Sequence, residues 1–165
     1  MTNIELDDKI LNDFGLDDFI TLSNMESKIR YELGLNYNGN ERFETAFATA
    51  EKLFIKYFKD SKLWIRLILW DIKDESVLLH SVLYPLNNFL KFKVINDGSL
   101  VLYYFLEKFD FNVIESLVKS SIGYELGIED TLNITCLYFN DLIILNVYDD
   151  RGLDVVTAYQ NRKIS

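Results

Sequence analysis

Residues 142–156 read LIILNVYDDRGLDVV, and this stretch decides the fold. An apolar run ends in Tyr148, Asp149, Asp150 and Arg151, turns at Gly152 and continues as a second apolar run. Short apolar runs on both sides of a turn rich in aspartate and glycine are typical of two neighbouring β-strands. We therefore predict strands at 142–148 and 153–158, joined by a charged turn.

The rest of the chain predicts more strands and several helices around this pair. Alternating or nearly continuous apolar patterns predict strands at 28–33, 62–70, 89–95, 99–106 and 132–139. Helical spacing predicts helices that end at Gly15, cover 41–59 after an Asn40 N-cap, cover 74–83, and run from an Asp110 cap to about residue 121. We expect one α+β domain over residues 1–165, with a mainly antiparallel sheet of about six or seven strands and about four helices packed on it.

The charge of the chain limits its partners. Asp and Glu number 26 against 17 Lys and Arg, so the formal net charge is −9. Nucleic acids and anionic membranes are bound through Lys and Arg, so neither is an expected partner. A basic protein would instead be attracted to this surface.

The amino terminus and the cysteine content indicate a cytoplasmic protein. Residues 1–8 are acidic and lack the basic start and apolar run of a secretory signal. The longest apolar run, 100–106, is too short to cross a membrane. Cys136 is the single cysteine, which suits a reducing compartment.

Three stretches of the chain resemble a bacterial family known as domain of unknown function 3885. They are Arg30-Tyr31-Glu32-Leu33-Gly34, the start of the 41–59 helix from Arg42-Phe43-Glu44 to Leu53-Phe54, and Tyr148-Asp149-Asp150-Arg151-Gly152-Leu153-Asp154. The likeness covers roughly residues 27–156. Short members of this family look like the small proteins that accompany bacterial toxins as immunity partners. The resemblance therefore implies a toxin-binding role and no assigned reaction.

No residue pattern in the chain predicts an enzyme. His80 is the only histidine, and a zinc site needs several other ligands near it. Cys136 lies in the middle of a predicted strand, where burial would raise the pKa of its thiol and make it unreactive. The glycines form neither a phosphate-binding loop nor a nucleophile elbow. We expect no catalytic residue, no metal and no cofactor.

The charged turn has two interpretations. In the structural one, an aspartate caps the turn, Arg151 pairs with a carboxylate and Gly152 is left-handed. As strand neighbours, Asp149 and Asp150 should point to opposite sides and not share a proton. In the other interpretation, Asp149, Asp150 and Arg151 contact a partner.

Two further groups of charges accompany the turn. Arg30 and Glu32 lie on one face of their strand and could join Asp149, Arg151 and Asp154 in a structural charge network across the sheet. Asp17 and Asp18 belong to an acidic stretch near the amino terminus. This stretch is either a solvated face or a surface that covers a basic active site on another protein.

These observations favour a small acidic, non-enzymatic immunity protein that neutralises a toxin domain, such as a nuclease, by occluding its active site. An alternative is a ligand-binding or regulatory domain with a pocket near Asp149, Asp150 and Arg151. An enzyme that uses Glu32, Asp149 or Asp150 as an acid or base ranks third, because it needs a concave site with a strongly perturbed carboxylate. The sequence leaves the identity of the partner and the oligomeric state open.

Overall fold

The computed structural model describes residues 1–16, 22, 25, 27–70 and 77–158. Within these ranges the chain forms four α-helices, one 3-10 helix and seven strands. In chain order they are α1 (Asn3–Phe14), β1 (Ile29–Glu32), α2 (Gly39–Phe58), β2 (Leu63–Leu69), α3 (Val77–Leu83), the 3-10 helix (Tyr84–Phe89), β3 (Leu90–Asn96), β4 (Ser99–Leu106), α4 (Phe111–Gly123), β5 (Ile134–Phe139), β6 (Ile143–Val147) and β7 (Gly152–Thr157). The predicted α+β fold is confirmed.

The seven strands form a single open sheet in the order β1-β7-β6-β5-β2-β4-β3. Each neighbouring pair among them is antiparallel. The β3–β4 hairpin turns at Asp97 and Gly98, whose φ angles of 43° and 86° suit a two-residue hairpin turn. The pairing of β1 with β7 brings residues distant in sequence together and places Arg30 opposite Asp154.

Both faces of the sheet are covered. On one face, α2, α3 and α4 pack on the odd-numbered residues of β2 and the even-numbered residues of β4. On the other face, α1 packs through Leu6, Ile10 and Phe14 against residues such as Ile68. Alternate strand side chains thus enter different cores, which explains the nearly continuous apolar sequence of β2.

The helix ends follow local side-chain chemistry. Thr2 forms a capping box with Glu5 at the start of α1, and Gly15 ends that helix in a left-handed conformation. Asp110 caps α4 by accepting a hydrogen bond from the Asn112 amide at 3.0 Å, as predicted. The predicted N-cap of α2 was wrong. Asn38, not Asn40, has the extended backbone of the cap residue, and its side chain makes no capping bond.

The first strand is less buried than its alternating sequence predicted. Because β1 is an edge strand, Ile29 is 51% exposed, whereas Leu33 just beyond it is buried. Asp17, Asp18 and the first part of the predicted 74–83 helix lie outside the described residues. No helix in the described ranges is both long enough and apolar enough to cross a membrane.

Candidate functional site

The charged stretch at 148–152 is a tight turn between β6 and β7. The Tyr148 amide donates to the Gly152 carbonyl at 2.9 Å and closes the turn. Inside it, Asp149 Oδ1 accepts the Arg151 amide at 2.7 Å, an arrangement that aspartate forms readily because its short side chain reaches the backbone two residues on. The backbone of the turn is therefore fixed by its own sequence.

A second set of backbone bonds attaches this turn to the segment that follows β1. The Leu33 amide donates to the Arg151 carbonyl at 3.0 Å, and the Gly34 amide donates to the Asp150 carbonyl at 2.8 Å. A Cβ on Gly34 would lie 2.6 Å from the Arg42 carbonyl oxygen, so a larger residue cannot occupy this position without a shift. The glycine allows α2 to pass close to the turn.

Each aspartate of the turn has its own guanidinium partner. Asp149 accepts from Arg151 Nε at 2.9 Å and from Arg151 Nη2 at 2.6 Å. Asp150 pairs instead with Nε of Arg42 on α2. Both aspartates are buried, with 8% and 5% exposure. Because the two carboxylates bind different guanidinium groups, they do not form a proton-sharing pair.

A third ion pair lies beside the turn, on the β1–β7 pair. Arg30 Nε and Nη2 donate to the two carboxylate oxygens of Asp154 at 2.7 and 2.8 Å, a bidentate arrangement. The Asp154 side chain has no solvent exposure, whereas that of Arg30 is 39% exposed. Hydrogen bonding to Asp154 raises the pKa of Arg30, just as Asp149 raises that of Arg151.

The exposed ring of Tyr148 connects two of these pairs. The guanidinium carbons of Arg30 and Arg151 each lie 5.2 Å from the centroid of this ring, within cation–π range. Tyr148 is 43% exposed, and the side chain of Arg151 is 52% exposed. We call Arg30, Tyr148 and Arg151 the tyrosine–arginine surface.

Two clefts flank this surface, and Tyr148 and Arg151 line both of them. The larger cleft, about 490 Å³, is polar and lies between the turn, the carboxyl end of α4 and the start of β5. Ser120, Tyr124, Glu125 and Asn133 are among its lining residues. The smaller, about 340 Å³, also includes Arg30, Glu32 and Leu35. Two exposed side chains thus project between two depressions.

A family described as "Domain of unknown function (DUF3885)" matches residues 7–162, nearly the whole chain. The chain belongs to this family. The match extends beyond the 27–156 range expected from sequence. No curated protein and no solved structure matches the chain.

The three stretches that carry the family resemblance meet at this site. The first supplies Arg30 and Gly34, the second supplies Arg42, and the third supplies the turn and Asp154. Arg42 was not among the predicted site residues, although it is the first residue of the second of these stretches. Its sequence position alone gave no indication that Asp150 would be its partner, because the two are 108 residues apart.

The structure bears differently on the remaining predictions about site residues. Glu32 lines the smaller cleft and forms no ion pair with any residue in the described ranges. Instead of one charge network across the sheet, the site contains three separate aspartate–arginine pairs. Contact of Asp17 and Asp18 with a partner stays a prediction, since both lie outside the described residues. Partner contact by Asp149, Asp150 and Arg151 also stays a prediction. Of these three, Arg151 is the exposed one.

The predicted left-handed conformation of Gly152 was wrong. Gly152 is the first residue of β7, paired with Glu32, and its φ is not positive. A Cβ there would lie 3.4 Å from Cδ and Nε of Arg30, so the glycine leaves room for that side chain. The turn is stabilised instead by the hydrogen bond that the Arg151 amide donates to Asp149 Oδ1.

The remaining chemical candidates lie elsewhere. Cys136 is buried, and burial raises the pKa of its thiol to about 12, which keeps it protonated at neutral pH. His80 is on the exposed side of α3. In the described part of the chain, no group of three or more His, Cys, Asp or Glu side chains is arranged to hold a metal ion.

Proposed function

We propose that this chain is a small acidic immunity protein that binds a bacterial toxin domain and blocks its active site. The observation that carries the proposal is the tyrosine–arginine surface, in which an exposed tyrosine ring and two exposed guanidinium groups, each paired with a buried aspartate, lie between two clefts. Tyr and Arg are enriched among the residues that dominate binding energy at protein interfaces.

The rigidity of this surface favours recognition. A side chain that is already held in place loses little conformational entropy when it binds. Arg151 is held by Asp149, and Arg30 is held by Asp154, while the Asp150–Arg42 pair fixes the turn on α2. The buried aspartates therefore support a contact surface whose exposed part is formed by Tyr148 and the two arginines.

The net charge of −9 favours a basic partner, because it accelerates the encounter of oppositely charged proteins. A nuclease domain, whose active site attracts phosphate groups, is such a partner. We infer that the negative charge of the chain, to which Asp17 and Asp18 contribute, provides long-range attraction. The tyrosine–arginine surface then provides the close contacts.

The test combines capture with neutralisation. The tagged 165-residue chain is used at low salt to capture its partner from a lysate of the source bacterium, and the captured protein is then produced under an inducible promoter. We expect growth arrest that the wild-type protein relieves, and that Tyr148→Ala relieves much less. Tyr84→Ala is the matched control, since Tyr84 is 66% exposed on the 3-10 helix. A captured protein without toxicity, or equal relief by both variants, would contradict the proposal.

The larger cleft favours a second candidate function, the binding of a small polar ligand. Its volume of about 490 Å³ lies within the range of small-molecule sites, and hydroxyl, amide and carboxylate groups line it. A ligand of this kind would raise the melting temperature of the protein by mass action. We would expect Asn133→Leu to abolish that increase. If no compound in a polar metabolite library raises the melting temperature, the second candidate fails.

A further inference from the structure

A third cleft, of about 390 Å³, lies away from the tyrosine–arginine surface. It is bounded by α3 and the 3-10 helix on one side and by β3 and β4 on the other. Its walls are mainly leucine side chains, including Leu83, Leu90, Leu100 and Leu102. We call it the α3 cleft. Its volume is at the lower end of the roughly 300–1,000 Å³ typical of small-molecule sites.

Tyr104 of β4 lines the α3 cleft and is only 2% exposed. Its hydroxyl has no hydrogen-bond partner among the residues that the structure describes. Because Tyr104 lines the cleft, its hydroxyl can donate to an acceptor atom that a ligand brings there. Burial also raises the pKa of Tyr104, which keeps the hydroxyl a proton donor at neutral pH.

Among the residues that line the α3 cleft, the charged side chain is that of Lys93, although the chain as a whole is acidic. No aspartate or glutamate occurs from Val77 to Asn96, and none occurs in β4, although the chain carries 26 acidic residues. Lys93 lines the cleft and is exposed. Because Lys93 pairs with Leu102, Tyr104 is its diagonal neighbour on the same face of the sheet, at a spacing that long side chains can bridge.

We propose that the α3 cleft binds the anion of a medium-chain carboxylic acid. The hydrocarbon chain packs on the leucine walls, and the carboxylate accepts hydrogen bonds from the Lys93 ammonium group and the Tyr104 hydroxyl. The apolar lining excludes small polar anions, and the position of Lys93 selects a carboxylate over an alcohol or an amine. This site is independent of the proposed toxin-binding function.

The test is isothermal titration calorimetry of the full chain with sodium decanoate, below the micelle concentration of the probe. We expect saturable binding of one decanoate per chain. Lys93→Gln should weaken it about tenfold or more, since a hydrogen bond to a charged group is lost. Lys91→Gln is the matched control, because Lys91 is on the same strand and does not line the cleft. Its affinity should stay within about twofold of the wild-type value.

Two further measurements define the chemistry of the site. Tyr104→Phe keeps the ring and removes the hydroxyl, so it should lower the affinity severalfold while the circular dichroism spectrum is unchanged. Decyl alcohol should not compete with decanoate. The proposal would be overturned by the absence of saturable heat, or by equal weakening in the Lys91 and Lys93 variants. Stronger competition by an apolar peptide with a free carboxyl terminus would also overturn it, and would identify a protein terminus as the occupant.

Discussion

At the scale of single residues, three aspartate–arginine pairs hold the site together, and they differ in how solvent reaches them. Asp150 pairs with Arg42, and both side chains are largely buried, at 7% and 23% exposure. Asp154 is fully buried, whereas its partner Arg30 is 39% exposed. These differences in solvent exposure determine how much stability should be lost when either member of a pair is replaced.

Asp150→Asn should lower the free energy of unfolding by about 2–4 kcal/mol, because it leaves the Arg42 guanidinium without a charged partner in a poorly solvated position. Urea unfolding at pH 7 measures this change. Asp141→Asn is the matched control, since the Asp141 side chain is 88% exposed, and it should change stability by less than about 0.5 kcal/mol. Equal stability of the two variants would show that the Asp150–Arg42 pair does not anchor the turn.

The Arg30–Asp154 pair should be asymmetric. Arg30→Met leaves a fully buried carboxylate without a partner and should cost about 3–5 kcal/mol, whereas Asp154→Asn leaves a guanidinium that can turn toward solvent and should cost less. A double-mutant cycle by urea unfolding compares the two changes. If Asp154→Asn were the more destabilising variant, the carboxylate would not be the buried member of the pair in solution.

The sequence predicted which residues form the site better than it predicted which of them contact one another. Asp149, Asp150, Arg151, Arg30 and Asp154 were all identified as candidates. The sequence could not show that Asp150 binds Arg42, because that contact depends on how α2 crosses the end of the sheet. The Arg30–Asp154 and Arg42–Asp150 pairs form between elements whose separation along the chain carries no periodic signal.

At the scale of elements, α1 is joined to the sheet by a polar contact beneath it. The Tyr103 hydroxyl on β4 donates to Asp7 on α1 at 2.8 Å, and Arg66 Nε on β2 donates to the same carboxylate at 3.1 Å. Tyr103 is 2% exposed. Burial, with a contribution from Asp7, raises the pKa of Tyr103 to about 12.

This contact predicts a loss of stability in alkali. Between pH 10, where an unfolded tyrosine ionises, and pH 12, folded Tyr103 keeps its proton and the unfolded chain loses it, so the folded state is progressively disfavoured. The stability difference between wild type and Tyr103→Phe should therefore shrink by about 2 kcal/mol across this window. Urea unfolding at several pH values measures it. A difference that is constant from pH 9 to pH 12 would exclude this role for Tyr103.

Most elements could be predicted because their signals are local. The Asn96-Asp97-Gly98 turn, the Asp110 cap and the Gly15 helix end depend on neighbouring residues alone. The exposure of Ile29 could not be predicted, because it follows from β1 being the edge strand beside β7. The start of α2 was misplaced because Asn38 caps the helix without a side-chain bond.

At the scale of the whole molecule, the chain has a net charge of −9, and each arginine of the tyrosine–arginine surface is paired with an aspartate. Long-range attraction of a basic partner is screened by salt, whereas close contacts are screened much less. We therefore expect the association rate with the captured toxin domain to fall at least about tenfold between roughly 50 and 500 mM salt, with little change in the dissociation rate. Surface plasmon resonance measures both rates. An association rate independent of salt would contradict the role of the net charge.

We propose that the exposed ring of Tyr148 is the main point of contact with a toxin domain. The most direct measurement is the dissociation constant of the captured toxin domain for the wild-type protein, for Tyr148→Ala and for Tyr84→Ala. We predict that Tyr148→Ala weakens binding by about 2 kcal/mol or more, roughly thirtyfold, and that Tyr84→Ala changes it less than about twofold. Wild-type affinity in a correctly folded Tyr148→Ala protein would contradict the account.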